Sequence, residues 1–505
     1  MKKESATKVK NKVDFNKYFM LSFATLAVGI IAYIIFKYPQ CGVADQGDFD
    51  RVMFGLSLLD SDSNNPNFVR FYNYIVTDYQ INTTIISNVL TVCGSTINYF
   101  IIIIIYICKL LGQEVFKTQY LAIAYSIMYI FSICTILKEI NFNNKIKMVL
   151  IGFITLFVFF DGNYIVWFNS LYGEPVMLST LVLFIATYLM YINCKYRDNN
   201  KEKLNSRIIF VFLAAFLFMG AKMQVSTTLP FILFLLGKII WDNRKELSRK
   251  YKIAVTFILL LVIITPIKMS IQGSAQGKDT LYNSVFYGVL NESETPEQDL
   301  IDLGLNPDMA GEAGKHAYLP ADEYVKYVPR TEIVEQEFYS KMGNSKLAKF
   351  YLTHPLRLLK GMEYTANKTF ITSTSLGKNY RSDSEEPVRE FNRFTEWSSF
   401  RESKFPEKLW FVLAVYLIAV AVTIYEFIKN RYNKRVKNII FLIWGVMLSG
   451  AIQFPMPFVG NGRADTAKQL FLFNFIFDIL IVGIVSFIIC KVVDVIRKGR
   501  IKNEI

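Results

Sequence analysis

Three carboxylates fall within six residues in the stretch Val43-Ala44-Asp45-Gln46-Gly47-Asp48-Phe49-Asp50-Arg51-Val52-Met53. Like charges held close push one pKa upward, which is what a general base near neutral pH needs. Arg51 could hold one of them ionised, and the plainer reading is a solvated acidic loop. Asp48-x-Asp50 also has the spacing of a metal-binding pair in nucleotide-sugar enzymes. It follows the first apolar segment, on the side expected to face outward, whereas nucleotide sugars are cytoplasmic, which argues against that chemistry. A second cluster, between Asp161 and Pro175, sets Asn169 and Tyr172 beside Glu174. Aromatic rings among hydrogen-bonding groups suit a sugar, which has apolar faces and a hydroxyl rim; the alternative is an interfacial aromatic belt. Lys222 and Gln224 stand between two apolar segments, where a charge is costly unless paired or wetted. An anionic lipid head group is a natural partner, and snorkelling to the surface is the alternative. Last, Gly460–Gln469 carries Arg463, Asp465 and Lys468, with two cations where the positive-inside rule disfavours them.

The elements that must position these residues are apolar. Of 505 residues, 52% are hydrophobic and only 19% charged, against about 25% charged in an average soluble domain. The apolar residues form continuous blocks, several near the ~20 residues a helix needs to cross a bilayer. A soluble globular enzyme, a disordered chain and a secreted disulfide scaffold are excluded. An outer-membrane barrel is disfavoured, because its strands alternate every second residue. The net charge of +14 sits in short stretches between apolar blocks, as the positive-inside rule expects, so nucleic acid is not the expected partner. Six cysteines include no C-x-x-C pair, and only Cys41 falls in an expected outside loop. With two histidines, His316 and His354, a His-rich metal centre is disfavoured.

The apolar segments are 18–36, 86–111, 119–137, 147–160, 176–193, 207–220, 226–241, 252–271, 407–428, 437–455 and 469–490. The first reads as an uncleaved span. Basic stretches at 1–17, 195–207, 244–252, 429–437 and 491–502 mark the cytoplasmic side. Counting from the two ends then conflicts: either one of 86–111, 119–137 or 147–160 fails to cross, or the sequence holds a further span that these segments omit. The shortest, 147–160, is the expected exception, as a re-entrant or half-depth helix. The expected fold is an all-α polytopic membrane protein of about 10–12 spans, multi-pass in the cytoplasmic membrane, with a small extracytoplasmic α-rich or mixed domain. Its expected parts are an N-terminal transmembrane module, 1–271, containing the acidic loop 37–85; a domain or lid, 272–406; and C-terminal spans, 407–505. Loop 37–85 shows few strand patterns, Thr331–Lys349 has helical spacing, and Gly273–Gly277 and Ser382–Pro387 read as turns or loop.

The arrangement resembles GT-C glycosyltransferases, polytopic enzymes that take sugar from a polyprenyl-phosphate-sugar outside the membrane. Gly47-Asp48-Phe49-Asp50-x-x-Met53 is similar to the Gly-Asp-aromatic-acidic motif of the branch that uses lipid-phosphate-glucose. Ala44-Asp45-x-Gly47-Asp48-Phe49, Phe168-Asn169-Ser170-x-Tyr172-Gly173-Glu174, Tyr287-Gly288-Val289-Leu290 and Gly462-x-Ala464-Asp465-x-x-Lys468 resemble bacterial glycan biosynthesis hexose transferases, including the surface-layer type, over about residues 40–475. Asn461 and Gln469 depart from the pattern, where Asp and an aromatic or His are expected. The resemblance implies inverting transfer of a hexose to a cell-envelope glycan on the outer face of the membrane. Asp48 is then the general base. Asp45, Asp50, Arg51, Asn169, Tyr172 and Glu174 position acceptor and donor, and Lys222, Gln224, Arg463, Asp465 and Lys468 form the lipid-phosphate set. Neither metal nor cofactor is expected; the partners are the lipid-linked donor, a glycan or lipid-linked acceptor and membrane lipid. A transporter or flippase of lipid-linked glycans is the alternative, disfavoured because no internal repeat is visible and the polar clusters lie at the boundary rather than mid-span. A surface receptor would leave the acidic loop without a purpose.

Overall fold

The computed structural model describes residues 2–56, 58–60, 71–81, 95–142, 144–272 and 274–503. Cys93 and the first part of the expected segment 86–111 lie outside them. Among the described residues, eight helices are long and apolar enough to cross a membrane: Phe15–Phe36, Thr118–Ile140, Gly173–Tyr196, Met223–Asn243, Arg249–Ile271, Leu409–Lys429, Lys434–Asn461 and Phe471–Lys498. Helices suit this role because each backbone N–H and C=O is satisfied within its own segment. The protein is an all-α polytopic membrane protein.

Two further segments cross. Lys145–Phe159 and Gly162–Phe168 are bent by 53°. Asp161 makes the break: its carboxylate accepts from Asn163 N and Ser398 N, both at 2.9 Å, and starts the second helix as its N-cap. Gly162 is required there, because a Cβ would lie 2.0 Å from the Arg393 carbonyl oxygen. At one end Lys147 bonds Asp494 at 2.7 Å, and at the other Asn169 accepts from Thr118 Oγ1 at 2.6 Å. Helix Lys201–Met219 opens with an Asn200 cap and closes where Gly220 meets Thr96.

The ends sort into two faces. The basic face joins Arg197 to Glu139 at 3.3 Å, Arg435 to Asn193 at 2.6 Å and Lys491 to Glu426 at 3.3 Å. The opposite face, here the loop face, holds Thr96, Thr118, Asn169 and Gly220. Helix Ile97–Leu110 has both ends on the loop face. Thr96 Oγ1 donates to the Leu217 carbonyl at 2.7 Å, and strand Val115–Lys117 leads directly into Thr118. The segment that fails to cross is therefore the one containing Ile97–Leu110, and not 147–160. The expectation weighed length alone. The bent pair regains length after its break, whereas Ile97–Leu110 is 14 residues, about 21 Å at 1.5 Å per residue. It packs Ile101 and Ile105 inward and leaves Ile103, Tyr106, Ile107 and Leu110 exposed, as a helix lying in the membrane boundary would.

Three short antiparallel strands, Leu58–Asp60, Asp78–Ile81 and Val115–Lys117, form a sheet on the loop face with Tyr79 opposite Phe116. The third strand follows the boundary helix, so the pairing is non-local, and three residues show little alternation.

Between the spans, Ser274–Ser284, Pro296–Leu303, Asn344–Thr353, Pro355–Asn367 and Glu396–Lys404 are helical. Gly277 lies inside the first of these rather than in a turn; Gly273 is outside the described residues. The Thr331–Lys349 stretch breaks after Tyr339 and resumes at Asn344. Tyr282, Phe286, Leu300, Phe338 and Phe350 form a core that also takes in Phe458 from the loop-face end of helix Lys434–Asn461. A second tie runs into the membrane. Arg401, fully buried, bonds Asp478 at 2.5 Å, and Asp478 also accepts from Tyr164 at 2.7 Å and Trp397 at 2.9 Å. The first loop is fastened to this region by backbone bonds from Gly42 to Lys378 and from Ala44 to Gly377.

Candidate active site on the loop face

The acidic loop is built around Asp45. Its buried carboxylate accepts from Gly47 N at 2.7 Å and Phe49 N at 3.2 Å, an Asx turn that fixes the backbone before helix Asp50–Leu56. Phe49 packs edge-on against Tyr172 at 4.8 Å, and the Tyr172 hydroxyl donates to the Ala44 carbonyl at 2.9 Å. Asn169 donates to the Cys41 carbonyl at 2.9 Å while accepting from Thr118. Asp45, Asn169 and Tyr172 thus hold the loop that presents Asp48. Asp50 is exposed in the first turn of its helix, and Arg51 follows it there.

Asp48 is ion-paired with Lys468, 420 residues away in sequence. The Lys468 ammonium lies 4.6 Å over the Tyr172 ring and 3.3 Å from Gln46 Oε1, and Gln46 donates to Asp465 at 3.0 Å. Burial pulls the Lys468 pKa down, but Asp48, Glu174 and Asp465 more than offset it, and the result lies above the ordinary lysine value. Burial, then the charges of Asp48, Asp45 and Glu174, push the Tyr172 phenol up, so Tyr172 acts as a neutral ring beneath a cation.

A second pair stands beside the first. Lys222 bonds the fully buried Glu174 at 2.6 Å. The other oxygen of Glu174 is buried and has no hydrogen-bond partner among the described residues. Buried carboxylate oxygens are rarely left so. Glu174 also acts on Lys468, so Asp48, Lys468, Glu174 and Lys222 form a line of alternating charge drawn from four loops.

The expected lipid-phosphate set is distributed. Lys468 and Lys222 belong to this line, and Asp465 contacts it through Gln46. Gln224 is buried and donates to Gln453 at 2.9 Å and to the Gln469 carbonyl at 2.7 Å, tying its loop to the one before the last span. Arg463 turns elsewhere. Gly462 has φ +59°, and a Cβ on it would lie 2.2 Å from the Asn283 carbonyl oxygen. This tight reversal sends Arg463 to Glu292, bonded through both oxygens at 2.8 Å, and over Tyr364 at 4.7 Å. Asn461 accepts from Asn283 at 2.8 Å and donates to the Ala464 carbonyl at 3.0 Å; an Asp there would lack that donor. Gln469 contributes its carbonyl to Gln224.

Sequence reasoning did not select Gln46, Tyr364, Glu292 or Arg401. Asp478 carried a usable signal for the last of these, since a carboxylate inside an apolar run requires a partner.

A bundle of apolar helices that gathers charged loops on one face defines a multi-pass membrane protein with a boundary-facing polar site. Within that class, the chain belongs to the family described as the YfdI N-terminal transmembrane domain, which matches residues 3–505. No curated protein and no solved structure matches it significantly.

Proposed function

We propose that the protein is a membrane glycosyltransferase of GT-C type that moves a hexose from a polyprenyl-phosphate-sugar to a cell-envelope glycan on the outer face of the cytoplasmic membrane. The observation that carries this reading is the Asp48–Lys468 pair, a first-loop carboxylate seated against a last-loop cation at the membrane boundary. The family's link to glycosyltransferase-like membrane proteins supports it.

In this reading the donor phosphate takes Lys468, with Lys222 beside it, and so releases Asp48 from its ion pair. The Asp48 carboxylate then accepts the proton of the acceptor hydroxyl. The hydroxyl oxygen forms a bond to the anomeric carbon as the bond from that carbon to the phosphate oxygen breaks, and polyprenyl phosphate leaves. Displacement from the opposite face inverts the anomeric centre. A phosphate leaving group needs charge stabilisation more than a proton, which the half-buried ammonium groups of Lys468 and Lys222 supply. Glu174 holds Lys222 in position beside the site.

The test is a transfer assay in nanodiscs with radiolabelled undecaprenyl-phosphate-glucose and an envelope acceptor. Asp48→Asn should lower the rate by about 10²–10⁴ while donor binding persists. Label that stays on the lipid with the parent protein, or crosses the bilayer equally with parent and Asp48→Asn, would contradict the transferase and favour a flippase.

A further inference from the structure

A cavity of about 480 Å³ opens beside Arg463, within the ~300–1,000 Å³ of small-molecule sites. Tyr351, Tyr364 and Phe458 supply flat apolar surfaces to it, and Asn291 and Glu292 a polar edge. Tyr351 is 4% exposed, and its hydroxyl is buried with no partner among the described residues.

Two of the three cations that line the cavity are already matched, and the third, Lys360, is exposed. Arg463 is held by both oxygens of Glu292, and Asn291, in the amide orientation that satisfies both partners, accepts from Arg463 Nη1 at 2.7 Å. Arg357 is held by Asp299 at 3.0 Å and by Ser293 at 2.9 Å. An anion would have to strip a formed pair to reach either arginine, whereas a neutral ligand rich in hydroxyls would not; Lys360 makes an anion the rival occupant, which competition by inorganic phosphate tests. Aromatic faces with amide and carboxylate edges match a pyranose ring.

The cavity adjoins the charged line. Tyr364 donates to the Arg463 carbonyl at 3.2 Å, and Asp465, two residues on, contacts Gln46. It also lies at the membrane boundary: Glu363 accepts at 3.2 Å from the backbone of Leu409, where a span begins, and Leu352, Leu356 and Leu359 nearby are exposed.

We infer that this cavity is the acceptor subsite and takes a neutral hexopyranose unit of the accepting glycan. The inference rests on the transferase reading for its role, but binding can be read without turnover. The first arm uses saturation-transfer NMR on the full chain in nanodiscs, with methyl gluco-, galacto- and mannopyranoside as probes. Signal is expected from at least one glycoside with the parent and with Asp48→Asn. It should be lost in Tyr364→Ala and Asn291→Ala and be restored in Tyr364→Phe. Silence from all three glycosides, or equal signal in both alanine variants, overturns the inference, as does displacement of bound glycoside by inorganic phosphate. The second arm measures transfer to a lipid-linked and to a lipid-free oligosaccharide. Tyr364→Ala should raise acceptor KM about tenfold for whichever source is used, with donor KM steady. A rise in donor KM alone assigns the cavity to the donor and overturns the inference. An inactive parent rejects the transferase reading, and the first arm still decides the cavity.

Discussion

Asp48 and Lys468 set one another's charge. The neighbouring carboxylates raise the Lys468 pKa despite burial, so its folded value exceeds its unfolded value of about 10.4. The stabilisation this gives is fully present below the unfolded value and is lost only as pH rises through the raised one. Lys468 therefore stays charged across the neutral range. Transfer should show no descending limb from its deprotonation between pH 7 and about 9, read from kcat against pH. A fall in that window, abolished by Lys468→Arg, would contradict the assigned charge state. The reactive residue types were legible from the sequence because Asp48, Glu174, Lys222 and Lys468 stand out beside apolar runs. Their pairing was not, since a lysine at 468 fits Asp45, Asp50 or Glu174 as well as Asp48 by charge alone. Arg463 shows the same limit: its path depends on the Gly462 reversal, which three-dimensional crowding by Asn283 imposes.

At the scale of elements, the site depends on how the loop-face region is anchored to the spans. Arg401 on helix Glu396–Lys404 reaches Asp478 inside the last span, and both side chains are fully buried. Arg401→Met would leave Asp478 charged without its cation. Breaking a buried pair in this way costs about 3–5 kcal/mol. The expected outcome is a clear drop in melting temperature in detergent, larger than for Tyr164→Phe, which removes one neutral donor to the same carboxylate. An unchanged melting temperature would show that the pair anchors nothing. Helices were the most legible elements, because an apolar run of span length states its own structure. The sheet and the helix starting at Ser274 were not, because strands of three or four residues and a Gly-containing first turn carry little periodic signal.

At the scale of the molecule, eight spans, the bent pair and helix Lys201–Met219 give ten crossings among the described residues, with Ile97–Leu110 along the boundary. The count brings every loop of the candidate site to one face and resolves the conflict that counting apolar blocks created. Single cysteines at Ser95 and Gln113, in a background without the native cysteines, should react with a membrane-impermeant maleimide from the same side. Labelling from opposite sides would make Ile97–Leu110 a span and contradict the topology.

The most direct test of the central claim, that Asp48 and Lys468 act together in transfer, is a single-turnover cycle with Asp48→Asn, Lys468→Gln and the double variant. Each single change should slow transfer by about 10² or more, and the double variant should be little slower than the slower single one. Losses that multiply independently, or an Asp48→Asn protein that transfers at the parent rate, would contradict it.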